Sequence, residues 1–305
     1  MFIHNDVPMK LKSVIKSMRL RTLPLSLAGV VLGVLLAASE SEVSFWVALS
    51  IMFTTVCLQV LSNLSNELGD VLSGADGEDR QGPEYGLNSG EMTIRDMRKL
   101  IAGAGILCML SGLLMIRLSF GSLIKPVPVA FICLGAFAIW GATRYTLGKN
   151  PYGYRGLGDV FVFIFFGIVS VAGGFSVAAH AFDPLVLLPA AAIGCFSVGV
   201  LNVNNIRDMR TDAPVRVTVA IKLGLRKARI YQSVLVVFGL ILMAVYCLLK
   251  ASSPWPWLYV LTIPLYVKHL RGVWTLEDRA LDPMLPLLVM STFALSLLAG
   301  IGFVI

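Results

Sequence analysis

The sequence predicts an all-α, polytopic membrane protein of about nine transmembrane helices, on three observations. Only 14% of the residues are charged and 57% are hydrophobic, where a soluble domain carries about 25% charge. The apolar residues fall in long charge-free blocks, as a lipid-spanning chain requires. The Lys and Arg residues lie between those blocks and strongly favour one alternating set of loops.

Taken in order, the candidate spans cover 22–39, 43–64, 100–116, 126–143, 159–179, 184–205, 231–249, 255–267 and 283–305. Most approach the ~20 residues that cross a bilayer. The eighth is short and begins among Pro254 and Pro256. Continuous apolar blocks exclude an outer-membrane barrel, whose strands are about 10 residues long and alternate apolar with polar. No cleavable leader is expected, because Lys10, Lys12, Lys16, Arg19 and Arg21 interrupt the opening segment. With nine spans, one set of loops holds 22 of the 25 Lys and Arg residues, and the other holds only Arg117, Lys125 and Lys250. That asymmetry places the N-terminus and the basic loops in the cytoplasm, with the chain in the inner (plasma) membrane among its lipids. No soluble or low-complexity segment appears, so residues 1–305 read as one domain.

A net charge of +7 and an isoelectric point near 9.3 alone suggest a nucleic-acid partner. The basic residues form no continuous patch, so no nucleic acid is expected. Cys57, Cys108, Cys133, Cys195 and Cys247 all lie within apolar stretches and read as small hydrophobes. His4, His180 and His269 show no ligand spacing. Gly29 and Gly33 are spaced for close helix approach. Asp159, at the start of a span, reads as a helix cap or a substrate contact.

Two segments carry chemistry. The second span ends in Asn63, Asn66, Glu67 and Asp70, followed by Asp76, Asp79 and Arg80. The sixth ends in Asn202, Asn204, Asn205, Arg207 and Asp208, followed by Asp212. Asn66 and Asp70 are four apart, as are Asn204, Asp208 and Asp212, so on a helix each set shares one face. Both sets occur where an apolar helix meets the basic side of the membrane. Carboxylate and amide oxygens suit Mg²⁺, which takes one or two carboxylates plus phosphate oxygens and water. Clustered acids repel unless a cation lies between them. Arg80, Arg207 and Lys222 are placed to complement phosphate charge that a metal leaves over. Polar groups at membrane depth are functional candidates.

These residues resemble a known family. "NLSNELGDVLSGADGEDRQGP" (Asn63 to Pro83) is similar to the first aspartate-rich motif of UbiA-type intramembrane prenyltransferases, and "NNIRDMRTD" (Asn204 to Asp212) to the second. "VAIKLG" (Val219 to Gly224), "YTLGKNPYGYRGLGDVFVFIFFG" (Tyr145 to Gly167) and "RLRTLPLSLAGVVLG" (Arg19 to Gly33) also fit the family in order, so nearly the whole chain is covered. More narrowly it resembles the 1,4-dihydroxy-2-naphthoate polyprenyltransferases of menaquinone synthesis. Glu67 stands where Asp is common. The loop reading "APVRVTVAI" is one residue short of the usual Gly-Lys/Arg-Thr pattern, with Arg216 in the basic position.

The resemblance implies a nine-helix bundle around a central cavity and an Mg²⁺-dependent enzyme. It assigns Asn66, Asp70, Asp76, Asp208 and Asp212 to the metal, and Arg80, Lys149 and Arg207 to the diphosphate. Asp70, Asp208, Tyr145 and Lys149 are the implied catalytic residues. Tyr145, Tyr152 or Tyr154 would stabilise an allylic cation or orient the acceptor ring, with an interfacial aromatic belt as the alternative. The implied substrates are a polyprenyl diphosphate and 1,4-dihydroxy-2-naphthoate, and no obligate protein partner is expected. A secondary transporter is the rival class, but it would place such acids near the midplane on broken helices. Within the family, 4-hydroxybenzoate or homogentisate is the nearest alternative acceptor.

Overall fold

The computed structural model describes residues 10–74, 85–87 and 89–305. Among them, eight helices are long and apolar enough to cross a membrane. The eighth expected span is present as two joined pieces, a 3-10 helix Trp255–Thr262 and an α-helix Ile263–Thr275. Pro256 and Pro264 each remove a backbone donor near the start of a piece, and Lys268, His269 and Arg271 make its second half too polar to match the other spans.

The opening segment is a short helix Leu11–Ser17, a 3-10 turn Leu20–Thr22, then the helix Leu23–Glu40. The second span runs on to Ser73, nine residues past the apolar block. The helix runs through Gly69 and ends only at Gly74, which takes the left-handed conformation at φ 76°. At 1.5 Å per residue that extension is about 14 Å long, and it carries Asn66 and Asp70. The span Gly158–Ala179 contains a π-helical stretch, Phe163–Gly173.

The Pro184–Arg207 helix is the hub. It is the most buried of the spans, and it packs against the Leu225–Lys250, Phe163–Gly173 and Met284–Val304 helices. Lipid tails are as apolar as the side chains, so burial alone does not drive helices together; close packing and hydrogen bonds do. Asn202, Gln232, His269 and the Met284 carbonyl form one buried polar chain across four helices. Asn202 Nδ2 donates to Gln232 Oε1 at 2.9 Å, and Gln232 Nε2 lies 3.0 Å from His269 Nε2. Gln232 Nε2 is a donor, so His269 Nε2 must accept. His269 Nδ1 therefore carries the proton and donates to the Met284 carbonyl at 3.0 Å.

Close approach is supplied by glycine. A Cβ on Gly33 would lie 2.3 Å from the Val171 carbonyl oxygen and 3.0 Å from the Phe175 nitrogen. Both obstacles are backbone and cannot swing away. Gly33→Ala is expected to cost about 2 kcal/mol, read as a lower apparent melting temperature in detergent. Gly103→Ala, where the added methyl meets open space, should not lower it.

The two ends of the bundle differ. At one end Lys250 Nζ clamps Glu40 Oε1 at 2.7 Å and Asp183 Oδ2 at 2.9 Å. The other end gathers Asn66, Asp70, Thr146, Tyr154, Arg207, Asp208, Arg216 and Asp282 through the contacts described next.

Candidate active site

Asn66 and Asp70 are one turn apart on the Phe45–Ser73 helix and line a cavity of about 820 Å³. Tyr154 donates its hydroxyl to Asp70 Oδ1 at 2.8 Å and lies 2.9 Å from Ser73 Oγ. Thr146 Oγ1 sits 2.9 Å from the Ser65 carbonyl and 3.3 Å from Asn66 Oδ1. The connection after the fourth span thus folds back on the first motif and orients both of its side chains.

The second motif is not one continuous helix. Pro184–Arg207 ends at Asp208, which has φ −93° and ψ 8°, and a separate turn Met209–Asp212 follows. Four-residue backbone bonds still cross the break, from Asp208 N to Asn204 O at 3.0 Å and from Asp212 N to Asp208 O at 2.8 Å. Asn204, Asp208 and Asp212 therefore all line the cavity, and the shared face expected from their spacing survives the interruption.

Arg207 is buried, and its fork is largely spent inside the protein. Nε donates to Asp208 Oδ1 at 2.8 Å, Nη2 to Asp208 Oδ2 at 2.6 Å and to Asn204 Oδ1 at 3.0 Å, and Nη1 to Asp282 Oδ1 at 2.5 Å. This leaves one Nη1 hydrogen uncommitted. Arg207 holds Asp208 in place before it does anything else.

Arg216 joins the two motifs. Its Nη2 donates to Asp212 Oδ1 at 2.6 Å, and Nη1 lies 3.6 Å from Asp70 Oδ1. Its guanidinium carbon is 5.7 Å from the centre of the Tyr154 ring. The loop is pinned by Val217 N donating to the Tyr154 carbonyl at 3.0 Å and by Thr218 capping the next helix at Ile221 N. Burial alone would lower the Arg216 pKa, but Asp70 and Asp212 outweigh it and hold the group above its ordinary value. Burial pushes Asp212 above the usual carboxylate range, an effect Arg216 only partly offsets. Burial likewise raises Tyr145 to about 12, with Arg216 opposing it, so its hydroxyl stays protonated and able to donate.

Of the residues the sequence singled out, Asn66, Asp70, Tyr145, Arg207, Asp208 and Asp212 line the one cavity. Lys149 is exposed and is not part of that lining. Asp76 and Arg80 lie outside the described residues. Asp159 is not the cap and does not line this cavity: Leu157 is the N-cap, and the Asp159 carboxylate accepts the Tyr231 hydroxyl at 3.0 Å, beside a small separate pocket. Sequence reasoning missed the lining residues Arg19 and Arg21. Arg19 sits in the left-handed region at φ 50° with its guanidinium 4.0 Å above the Tyr85 ring, and Arg21 donates to the Tyr85 hydroxyl at 2.9 Å. Two arginines beside the apolar Leu23–Glu40 helix were the available signal. Asp282 was also missed, since only the fold brings it to Arg207.

Among the described residues no three acidic, histidine or cysteine side chains form a ready-made metal cage. A hard cation that shares substrate phosphates does not need one. The donors present fit such an ion: they are carboxylate and amide oxygens from two helices, and Asp212 Oδ2 is buried without a partner. Beyond this acidic end the cavity turns apolar, with Ile51, Leu113, Phe131, Phe165 and Val169 among its walls.

A family model described as the UbiA prenyltransferase family matches residues 26–299. The chain is 37% identical over 290 residues to the 1,4-dihydroxy-2-naphthoate octaprenyltransferase of Escherichia coli (strain K12), covering 94% of each. The apo structure of a UbiA homologue from Aeropyrum pernix K1 aligns with a TM-score of 0.69 at 16% identity, covering 93% of this chain and 97% of that one. A UbiA homologue from Archaeoglobus fulgidus bound to DMAPP and Mg²⁺ aligns with a TM-score of 0.59 at 15% identity, covering 95% and 99%. At those identities the structures speak for the fold. With the family match spanning most of its length, an all-helical membrane bundle and two acidic helix ends on one cavity, this chain belongs to the UbiA prenyltransferase family.

Proposed function

We propose that the protein transfers a polyprenyl group from polyprenyl diphosphate to 1,4-dihydroxy-2-naphthoate, releasing diphosphate and CO₂ and giving demethylmenaquinol for menaquinone synthesis. The observation that carries this reading is the two-part cavity: an acidic and basic mouth for a charged head, continuous with apolar walls for a long tail. The name of the Escherichia coli relative supports the acceptor. The excess of Lys and Arg at the motif end supports a cytoplasmic orientation in the plasma membrane.

Asn66, Asp70, Asp208 and Asp212 would hold Mg²⁺, with Asp76 in support, and the ion would supply Lewis-acid stabilisation of charge on the departing diphosphate. Arg216 and the uncommitted Nη1 hydrogen of Arg207 complement the remaining phosphate charge; Arg80 and Lys149 are the further cations proposed for it. The C–O bond to the prenyl carbon breaks with its electron pair going to diphosphate. The electron-rich ring forms the new C–C bond at its carboxylated carbon. The electrons of the carboxyl C–C bond return to the ring as CO₂ leaves, so no external oxidant or base is consumed. Tyr145, a lining residue with a protonated hydroxyl, offers its ring face to the allylic cation.

Purified protein given a polyprenyl diphosphate, Mg²⁺ and either 1,4-dihydroxy-2-naphthoate or 4-hydroxybenzoate should yield prenylated, decarboxylated product by mass spectrometry from the first alone. A chelator should abolish it, and Mg²⁺ should restore it. Product from the second acceptor alone would overturn the acceptor; turnover in chelator would overturn the metal assignment.

A further inference from the structure

We propose that Arg216 is a built-in counter-cation of the two acidic motifs, which holds Asp70 and Asp212 in the free protein and surrenders them to a divalent cation when the diphosphate arrives. This rests on the reading above that the acidic mouth takes a metal and a diphosphate.

The ion pair of Arg216 with the two motifs is incomplete. An arginine facing a carboxylate usually makes two parallel hydrogen bonds. Here Arg216 makes one short bond, Nη2 to Asp212 Oδ1 at 2.6 Å, and reaches towards Asp70 at 3.6 Å. The other half of each group is left over: Arg216 Nε and Asp212 Oδ2 are both buried without a hydrogen-bond partner among the described residues. Asp212 is only 2% exposed, so water does not readily compensate it, and a buried unmet polar atom costs stability. A purely structural salt bridge would close this fork. The two leftovers are chemically opposite. A bare carboxylate oxygen suits a cation, and a bare N–H suits an anionic oxygen. Both belong to residues that line the cavity together with Asp70 and Asp208.

The neighbouring cation cannot take over this role. Arg207 is committed to Asp208, Asn204 and Asp282. Among the described residues Arg216 is the cation that spans from one motif to the other, on a loop pinned by Val217 to the same Tyr154 whose hydroxyl holds Asp70. A divalent cation and a guanidinium repel at short range, so both cannot stay on Asp70 and Asp212 unless an anion separates them. Diphosphate is that anion. Metal alone must displace Arg216 without return, whereas metal with diphosphate gives Nε–H and the freed Nη groups an oxygen partner. Metal and diphosphate affinities are then coupled through Arg216, and the coupling is reciprocal.

The test is binding by the full-length protein in detergent, with Mn²⁺ as the probe followed by electron paramagnetic resonance. Arg216→Gln should bind Mn²⁺ alone about tenfold more tightly than wild type. At saturating Mn²⁺ it should bind an unreactive polyprenyl thiodiphosphate about tenfold more weakly. Arg216→Lys, which keeps the charge, should return Mn²⁺ affinity towards wild type. Arg216→Met replaces Arg216→Gln if the latter does not fold. Unchanged or weaker Mn²⁺ binding by the neutral variant overturns the counter-cation. Absence of Mn²⁺ binding by wild type even with the analogue overturns the metal–diphosphate reading itself, and the counter-cation with it.

Discussion

Asp70→Asn is expected to lower kcat/KM by at least about a thousandfold, on the order of 4 kcal/mol of transition-state stabilisation. The carboxylate sits at the cavity mouth, 8% exposed, where Tyr154 and Arg216 already position it. Asparagine keeps an oxygen to accept the Tyr154 hydroxyl but loses the charge that a metal needs. Arg216 retains Asp212, so the fold is not left with an unpaired cation, and the apparent melting temperature should move by only a few degrees. Steady-state kinetics beside a thermal melt in detergent check this. Near-normal turnover, or collapse of the fold, would remove Asp70 from the proposed metal set.

Arg207→Met has the opposite signature and the largest expected effect on stability. It removes the partner of buried Asp208 and one partner of Asp282 at once. Breaking a buried ion pair from one side costs about 3–5 kcal/mol, because the remaining carboxylate stays desolvated and unpaired. Asp208 side-chain exposure is only 12%, so solvent screening offers little relief; Asp282 at 42% is screened and adds less. The double variant Arg207→Met/Asp208→Asn should recover a large part of the lost stability while remaining inactive. Recovery of neither would show that Arg207 acts mainly on something other than Asp208. The sequence expected Arg207 to face the diphosphate, whereas four hydrogen bonds within the protein make it first a scaffold for the second motif.

The two motifs were legible because their information is local. Four-residue spacing puts Asn66 with Asp70, and Asn204 with Asp208 and Asp212, on one face of whatever helical backbone carries them. That held even where the chain breaks regular helix at Asp208. The spans were legible for a similar reason: apolar length is a property of contiguous residues. The eighth was the exception, since prolines and the polar residues Lys268, His269 and Arg271 blurred it. The end of the second helix was misjudged by hydropathy, which tracks lipid contact; the helix itself stops only where Gly74 turns left-handed.

What the sequence alone determined is thus the membrane class, the approximate helix count and two acidic helix ends rich in oxygen ligands. Only the tertiary structure shows which of the described cations lie against those ends. Lys149 has the right charge and a suggestive position, yet it is exposed and not among the cavity-lining residues. Arg216, in a loop outside both motifs, bridges Asp70 and Asp212, and Asp282 reaches Arg207 across 75 residues of chain. Charge pairing depends on distance in space, and no periodicity in the chain encodes distances between separate helices. Only packing, through close approaches such as Gly33 against Val171, sets which charges meet.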